Sequence, residues 1–247
     1  MCSNYLYQQF KKINIELSEK QLERFNDYYK MLIDKNKVMN LTAITEYKDV
    51  VIKHFVDSVL ILNTSYMNTK SFDNVSSLNV IDVGTGAGFP GIPLKIIYPD
   101  IHLTLLDSLN KRINFLNEVI ERLELENISC IHGRAEDYGI DRQYREKYDI
   151  CVSRAVANLS TLSEYCVPFI KVGGIFISYK SSDISEELEN AKSAVKKLNC
   201  RIKDIVDVDL IDSENIKYER KFVIIGKEKK LGMQYPRKAG IPSKNPL

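Results

Sequence analysis

The sequence predicts an α/β protein whose parallel, doubly wound sheet follows a helical N-terminal segment. Three observations support this fold class. Short β-branched runs alternate with helical patterns from Asn79 onward, as in folds with helices on both faces of a parallel sheet. A glycine-rich stretch, IDVGTGAGFPG (81–91), contains the junction between the first strand-like run and the next helix. Before Asn79 the apolar residues repeat with helical spacing instead.

The N-terminal segment contains two clear helical patterns. SEKQLERFNDYYKMLI begins with a capping box formed by Ser18 and Gln21. A second helix is predicted over about 46–62, with Lys53, His54 and Asp57 opposite its apolar face. The stretch 66–79, rich in Asn, Ser and Thr, predicts a boundary. We therefore expect a helical extension over 1–78, a sheet domain over 79–230 and a basic tail over 231–247.

The sheet domain contains seven strand-like runs. In order they are NVIDV, IHLTLLD, ISCIHG, YDICVSRA, GIFISYK, CRIKDIVDVDL and YERKFVIIGK. They leave no sequence for a separate substrate domain, and ligands of such sheets bind at the carboxyl ends of the strands. The tail contains three prolines and two glycines, which predicts an extended segment that becomes ordered on contact.

Composition excludes several classes of protein. The chain has 247 residues, 44% of them hydrophobic, which is enough for a substantial core. It has no apolar run long enough to span a membrane and no signal-peptide pattern at its start, so a cytoplasmic protein is expected. Its five cysteines are scattered without a C-x-x-C pair, which argues against disulfides and against a metal site.

Charge is concentrated at the C-terminal end. Residues 217–247 carry nine Lys or Arg and two Glu, a local charge of +7 in a chain of net charge +2, so the remaining residues carry −5. A basic end on an acidic body is typical of a protein that binds a polyanion, although it also occurs on ordinary solvated surfaces.

The glycine-rich stretch matches two kinds of cofactor loop. From Gly86 it reads G-x-G-x-x-G, typical of dinucleotide binding, and from Asp82 it reads D-x-G-x-G-x-G, which suits S-adenosylmethionine. Asp107, at the end of the second strand, is placed to accept hydrogen bonds from ribose hydroxyls in both cases. Asp82 favours S-adenosylmethionine, because its carboxylate would repel a pyrophosphate but attract the ammonium group of the methionine half. A turn-capping role for Asp82 is the alternative.

Two further segments concern the adenine and the methyl acceptor. In GRAED, Glu136 is placed to accept a hydrogen bond from an adenine amino group. The segment SRAVANLS (153–160) has neither the N/D-P-P-Y/F pattern used on exocyclic amines nor a cysteine nucleophile. A ring nitrogen such as guanine N7 already carries a lone pair and needs no general base, and Arg154 is placed to hold the base. A structural ion pair is the alternative for Arg154.

Seven segments in order resemble one known family over nearly the whole chain. NLTAIT, HFVDSVL, IDVGTGAGFPGIPLKI, LLDSLNKRINFL, GRAED, SRAVANL and YPRKAGIPSKNPL resemble the bacterial small-subunit ribosomal RNA guanine-N7 methyltransferase family, RsmG or GidB. The resemblance implies a class I S-adenosylmethionine-dependent methyltransferase with a seven-stranded, mostly parallel, Rossmann-like sheet and an N-terminal helical extension. It also implies transfer of a methyl group to N7 of one guanine in the decoding region of 16S rRNA.

The resemblance and the loop chemistry together give two sets of site residues. The expected cofactor residues are Asp82, Gly84, Gly86, Gly88, Phe89, Asp107, Ser108, Leu109, Ala135, Glu136 and Arg154. The expected RNA-binding residues are Asn40, His54, Lys180, Arg220, Lys221, Arg237 and Lys238. For His54, a local pair with Asp57 is the alternative.

Three readings of function remain open from sequence. The leading one is an rRNA methyltransferase that uses S-adenosylmethionine, acts on 16S rRNA or the small ribosomal subunit, and is a monomer, since no dimerising stripe is visible. A nicotinamide-dependent reductase is disfavoured by Asp82 and by the lack of a substrate domain. A non-catalytic ribosome assembly factor with the same fold is the third.

Overall fold

The described residues of a computed structural model, 2–67, 78–154, 156–181, 183–212 and 216–247, form one seven-stranded sheet with helices on both faces. The strand order is β3-β2-β1-β4-β5-β7-β6. Strands β1 to β5 pair in parallel, whereas β7 pairs antiparallel with both β5 and β6. The strands are β1 Asn79–Val83, β2 His102–Asp107, β3 Ile128–His132, β4 Tyr148–Arg154, β5 Ile170–Ser181, β6 Cys200–Ile211 and β7 Lys217–Lys227. All seven predicted strands are present, and the sheet is mostly parallel.

Ten α-helical segments accompany the sheet in the described residues. They are α1 Cys2–Lys12, α2 Glu19–Met39, α3 Tyr47–Val50, α4 Asp57–Val59, α5 Gly91–Ile97, α6 Asn110–Arg122, α7 Ala135–Tyr138, α8 Leu159–Cys166, α9 Ser185–Lys197 and α10 Ile241–Lys244. The predicted capping box opens α2: the Ser18 hydroxyl accepts from the Gln21 amide, and the Gln21 side chain accepts from the Ser18 amide at 2.9 Å. No described helix is both long and apolar enough to cross a membrane.

The helix predicted over 46–62 is present, but its geometry changes along its length. Between α3 and α4 the turns widen into a π-helix over Val51–Val56, and after α4 they tighten into a 3₁₀ helix over Leu60–Asn63. Turns of π geometry are rare and occur often at functional sites. The polar side of this helix faces the protein: Asp57 is only 5% exposed.

The N-terminal helices share one hydrophobic core with the sheet. Leu6 and Phe25 belong to the same buried cluster as Leu116 of α6 and Ile224 of β7. A second cluster on the other face of the sheet includes Leu162 of α8 and the neighbouring side chains of α9. The predicted boundary near residue 78 therefore separates two sequence patterns but not two cores, and most of the predicted stretch 66–79 lies outside the described residues.

Candidate active site

The glycine-rich loop joins β1 to α5 at the carboxyl edge of the sheet. The amides of Gly84 and Thr85 donate to the carbonyl of Leu106, at 2.8 and 3.2 Å, and so fix the loop against β2. Gly88 has φ +106°, and a Cβ there would lie 2.6 Å from the Tyr28 hydroxyl. Tyr28 itself donates to the carbonyl of Ala87 at 2.6 Å. Helix α2 therefore braces the loop at a point where only glycine fits.

Asp82 lies inside the protein beneath this loop. It is fully buried, and one carboxylate oxygen, Oδ2, accepts from the Gly91 amide at 2.8 Å and from the Thr85 hydroxyl at 2.7 Å. Among the described residues its other oxygen, Oδ1, has no hydrogen-bond partner. Burial raises the pKa of Asp82 to about 7. With these two hydrogen bonds Asp82 caps the turn, which was the alternative role given to it from sequence.

Asp107 is held at the end of β2 in a fixed orientation. Its Oδ2 accepts from the Gly86 amide at 2.9 Å, and its Oδ1 accepts from the Leu109 amide at 2.9 Å. Arg112 lies 3.3 Å from Oδ2. The carboxylate is almost fully buried, but it borders a cavity at the strand ends. Gly86 and Leu109 therefore orient Asp107 through their backbone amides.

The first cavity, of about 310 Å³, is lined by five of the eleven predicted cofactor residues. Its walls include the predicted residues Gly84, Asp107, Ser108, Ala135 and Glu136. The other six are not in its described lining, and they are Asp82, Gly86, Gly88, Phe89, Leu109 and Arg154. At Gly84 a Cβ would lie 2.5 Å from the Val156 side chain, so glycine keeps the cavity mouth open between the loop and the segment after β4.

The C-terminal tail supplies another wall of the first cavity. Gly240 and Ser243 border it, and the Gly240 amide donates to Glu136 Oε1 at 2.9 Å. Part of the tail is helical, as α10, rather than extended throughout as predicted. The difference arises because the tail is packed against α7 and α8, where it finds hydrogen-bond partners that the sequence does not reveal.

A second cavity, of about 360 Å³, lies at the same edge of the sheet, at the ends of β4 and β5. Its described lining includes four basic side chains, those of Lys53, Arg154, Lys180 and Arg220, and one carboxylate, that of Asp57. Antiparallel pairing of β7 with β5 places Arg220 opposite Ser181, and so at this edge. The cavity therefore favours an anionic or electron-rich ligand.

Asp57 pairs with two arginines of the second cavity. Arg154 Nη1 lies 2.7 Å from Asp57 Oδ2, and Arg220 Nε lies 2.6 Å from Oδ1. Arg154 also stacks over the Phe89 ring, with its guanidinium carbon 5.2 Å from the centroid. Arg154 therefore forms an ion pair, which was the alternative from sequence, and it also lies on the wall of the second cavity.

His54 lines the second cavity and stacks on Phe89, with ring centroids 4.6 Å apart. Its Nε2 is 2.7 Å from the Thr42 hydroxyl. Burial and the nearby Arg154 charge lower the pKa of His54 to about 4, so the ring is neutral at pH 7. The local pair with Asp57, offered as the alternative for His54, is not the contact made, since both carboxylate oxygens of Asp57 face arginines.

Of the other predicted RNA-binding residues, only Lys180 lines the second cavity, and the rest lie apart from it. Asn40 is the left-handed C-cap of α2, and Lys180 pairs with Glu187 at 2.6 Å. Lys221 forms an ion pair with Asp207, and Lys238 is exposed. Arg237 does not present a free guanidinium: it pairs with the fully buried Glu164 at 2.6 Å. A third cavity, of about 630 Å³ beside the C-terminal Leu247, has none of the predicted residues in its described lining.

The fold is that of class I S-adenosylmethionine-dependent methyltransferases. Two solved structures share this fold at low sequence identity. The YcgJ protein of Bacillus subtilis is 11% identical with a TM-score of 0.51, over 72% of this chain and 100% of that one. A putative RNA methyltransferase of Pyrococcus horikoshii is 10% identical with a TM-score of 0.50, over 70% and 84% of the two chains.

Sequence similarity defines the family more narrowly. The family described as rRNA small subunit methyltransferase G, GidB, matches residues 21–214. A protein named ribosomal RNA small subunit methyltransferase G from Desulforamulus reducens is 50% identical, over 98% of this chain and 97% of its own length. Another of that name, from Lachnoclostridium phytofermentans, is 49% identical over 97% and 95%. This chain belongs to the GidB family, which confirms the resemblance predicted from sequence.

Three functional positions were missed from sequence. Asp57 was noted only as a polar helix residue and as a possible partner of His54, although it joins two arginines of the second cavity. Gly240 and Ser243 border the first cavity but lie within AGIPSK, a segment used for the family resemblance, its charge and its prolines and not as part of the cofactor site. The glycine before a proline-containing turn was a usable signal, because Gly240 has φ +81°.

Proposed function

We propose that this protein transfers a methyl group from S-adenosylmethionine to N7 of one guanine in 16S ribosomal RNA. One observation carries the proposal: two cavities open at the same edge of the sheet, the first at the ends of β1 and β2 and the second at the ends of β4 and β5. One is bordered by carboxylates suited to an adenosine, and the other by basic side chains suited to RNA. Family membership supports the reaction class and the ribosomal substrate.

The first cavity fits the methyl donor. Asp107 presents a fixed, nearly buried carboxylate for ribose hydroxyls, and Glu136 presents one beside Ala135 for the adenine amino group. Among the described residues Oδ1 of Asp82 has no hydrogen-bond partner, and with a pKa of about 7 the carboxyl is partly ionised at neutral pH. A cationic ligand above the loop would favour its ionised form. When bound, S-adenosylmethionine supplies an electrophilic methyl group on a sulfonium centre.

The second cavity fits the acceptor base and its flanking phosphates. Arg154, held by Asp57 and stacked on Phe89, offers a planar cation to the guanine edge. His54 is neutral at pH 7 and adds a polar ring without a charge. Arg220 and Lys180 provide phosphate contacts at the cavity rim, and Lys221 and Lys238 extend the basic surface. Since N7 carries a lone pair, positioning replaces general base catalysis.

The test is methyl transfer to purified small ribosomal subunits and to free 16S rRNA from a strain that lacks this methylation. Labelled S-adenosylmethionine is supplied, and the nucleosides are analysed after digestion. Label in 7-methylguanosine at a single site supports the proposal, and label in another nucleoside contradicts the target. Cofactor binding without transfer to either substrate favours the assembly-factor alternative. We also propose a cytoplasmic monomer, for which gel filtration is the direct measurement of oligomeric state.

A matched pair of variants tests the role of the second cavity. Arg154→Ala removes the guanidinium on the cavity wall and is expected to abolish transfer. Arg201→Ala removes an exposed arginine on β6, whose ion pair with Glu228 lies outside both cavities, and is expected to leave transfer unchanged. Equal activity of the two variants would contradict the assignment of Arg154.

A further inference from the structure

We infer that the C-terminal tail is the closing wall of the cofactor pocket, with Ser243 beside the adenosine, and that it is not a free RNA-binding arm. The inference rests on the proposed function, because it concerns the same first cavity. It assigns a role to a segment whose basic residues suggested only contact with RNA.

The tail is fastened at its start by one buried arginine. Arg145 is 8% exposed and donates to four main-chain carbonyls. These belong to Gly139 at 2.7 Å, Tyr235 at 2.8 Å, Leu231 at 2.9 Å and Gly232 at 3.1 Å. Three of the four acceptors lie in the tail, so this arginine fixes the path of the chain after β7.

A second fastening lies next to the cavity. Glu164 of α8 is fully buried and accepts from the amide of Arg237 at 2.8 Å and from its guanidinium at 2.6 Å. A buried carboxylate needs such a partner, since leaving it unpaired is costly. Two further hydrogen bonds follow, from the Thr161 hydroxyl to the Pro242 carbonyl at 3.0 Å and from the Ser160 hydroxyl to the Leu247 carbonyl at 3.1 Å. The tail is therefore docked along α8.

Between these fastenings the tail meets the adenine side of the cavity. The Gly240 amide donates to Glu136 Oε1, the carboxylate that is proposed to bind the adenine amino group. Gly240 has φ +81°, and no atom lies within 4 Å of the position that its Cβ would take. Ser243, one turn later, borders the cavity with its side chain exposed. Glu136 therefore contacts the tail and also lies where the adenine is expected to bind.

The charges of the tail are consistent with this arrangement. Arg237 is committed to Glu164, and Lys244 lies in α10 outside the described cavity lining. One of the basic residues that suggested an RNA-binding arm, Arg237, therefore holds the tail against α8. Cofactor affinity should depend on residues that follow the last strand.

The experiment compares two bulky substitutions at adjacent exposed positions. Ser243→Trp places an indole in the cavity, whereas Lys244→Trp places the same side chain outside it. Binding of S-adenosylhomocysteine and of 5′-methylthioadenosine is measured by calorimetry, with thermal unfolding as a control for folding. We expect Ser243→Trp to weaken both ligands by about tenfold or more, with Lys244→Trp unchanged. Loss of both ligands identifies the adenosine side, because methylthioadenosine lacks the amino-acid portion.

The outcomes separate this inference from the proposed function. If Ser243→Trp and Lys244→Trp bind both ligands as tightly as the unmodified chain, the tail is not a wall of the pocket and the inference is overturned. If Ser243→Trp weakens only S-adenosylhomocysteine, the assignment to the adenosine is overturned. If the unmodified chain binds neither ligand, the proposed function itself fails. A truncation after residue 239 is a second variant, expected to lose affinity for both ligands while it keeps the Arg145 and Arg237 fastenings.

Discussion

Replacing Asp57 by asparagine should destabilise the protein and impair transfer without weakening RNA binding. Asp57 is the only carboxylate in the described lining of the second cavity, and it pairs with Arg154 and Arg220 at 2.7 and 2.6 Å. The asparagine keeps the size of the side chain but removes its charge. Two guanidinium groups with side chains 14% and 21% exposed then face each other without a counter-charge.

The magnitude follows from the burial of the three groups. Removing one partner of a fully buried ion pair costs about 3–5 kcal/mol. Solvent in the cavity screens the arginines, and the amide still accepts one hydrogen bond, so we expect about 2–3 kcal/mol. For a chain of this size that loss lowers the melting temperature by about 5–10 °C.

The assay pairs this variant with Asp49→Asn. Asp49 forms an ion pair with Lys53 at 2.8 Å on the same helical segment, but its side chain is 46% exposed. An exposed pair contributes about 0–1 kcal/mol. We expect Asp57→Asn to lower kcat by about tenfold or more through misplacement of Arg154. RNA affinity should be equal or higher, since the cavity becomes more positive. Equal melting temperatures for the two variants would refute the reasoning.

Two further predictions concern the glycine-rich loop and the histidine of the second cavity. Gly88 has φ +106°, and Gly88→Ala places a Cβ 2.6 Å from the Tyr28 hydroxyl. The substitution should lower the free energy of unfolding, measured in denaturant, by about 2–4 kcal/mol. The control is Gly173→Ala, at φ +88° with no described atom near the added Cβ, which should lower the free energy of unfolding by only about 1 kcal/mol. Equal losses of unfolding free energy in the two variants would show that the contact with Tyr28 of α2 is not the cause. His54 should titrate in an NMR experiment near its lowered pKa of about 4. Because this pKa is below its unfolded value, the stability from neutral His54 is present above pH 6.5 and is lost as pH falls toward 4; His54→Gln should flatten that window. A midpoint near 6.5 would contradict the burial of the ring.

Sequence patterns predicted the elements of the fold well because each depended on local chemistry. The capping box at Ser18, the alternation of strands and helices, and the glycine loop are all set by neighbouring residues. The π-helical turns over Val51–Val56 were not predicted, because the apolar spacing there also fits an ordinary α-helix. The polar side of that helix faces inward because Asp57 pairs with Arg154 of β4 and Arg220 of β7, both far from the helix in sequence.

In the site, too, features set by neighbouring residues were predicted, whereas contacts between residues far apart in sequence were not. Gly84, Asp107 and Glu136 were placed on the cavity wall because strand ends converge at one edge of a parallel sheet. The partner of Arg237 was not predictable, because Glu164 lies 73 positions earlier on a helix whose pattern shows only that it is amphipathic. Charge counted along the chain does not distinguish a guanidinium that faces solvent from one that neutralises a buried carboxylate.

The contact between Asp57 and Arg220 has a consequence for the order in which the protein becomes competent during synthesis. These residues are 163 positions apart, and Arg220 lies on the last strand to leave the ribosome, β7. The helix that carries Asp57 is complete long before, yet its carboxylate lacks its second cation until β7 has inserted between β5 and β6. The N-terminal helices can therefore form early, but the second cavity is complete only after translation has nearly ended.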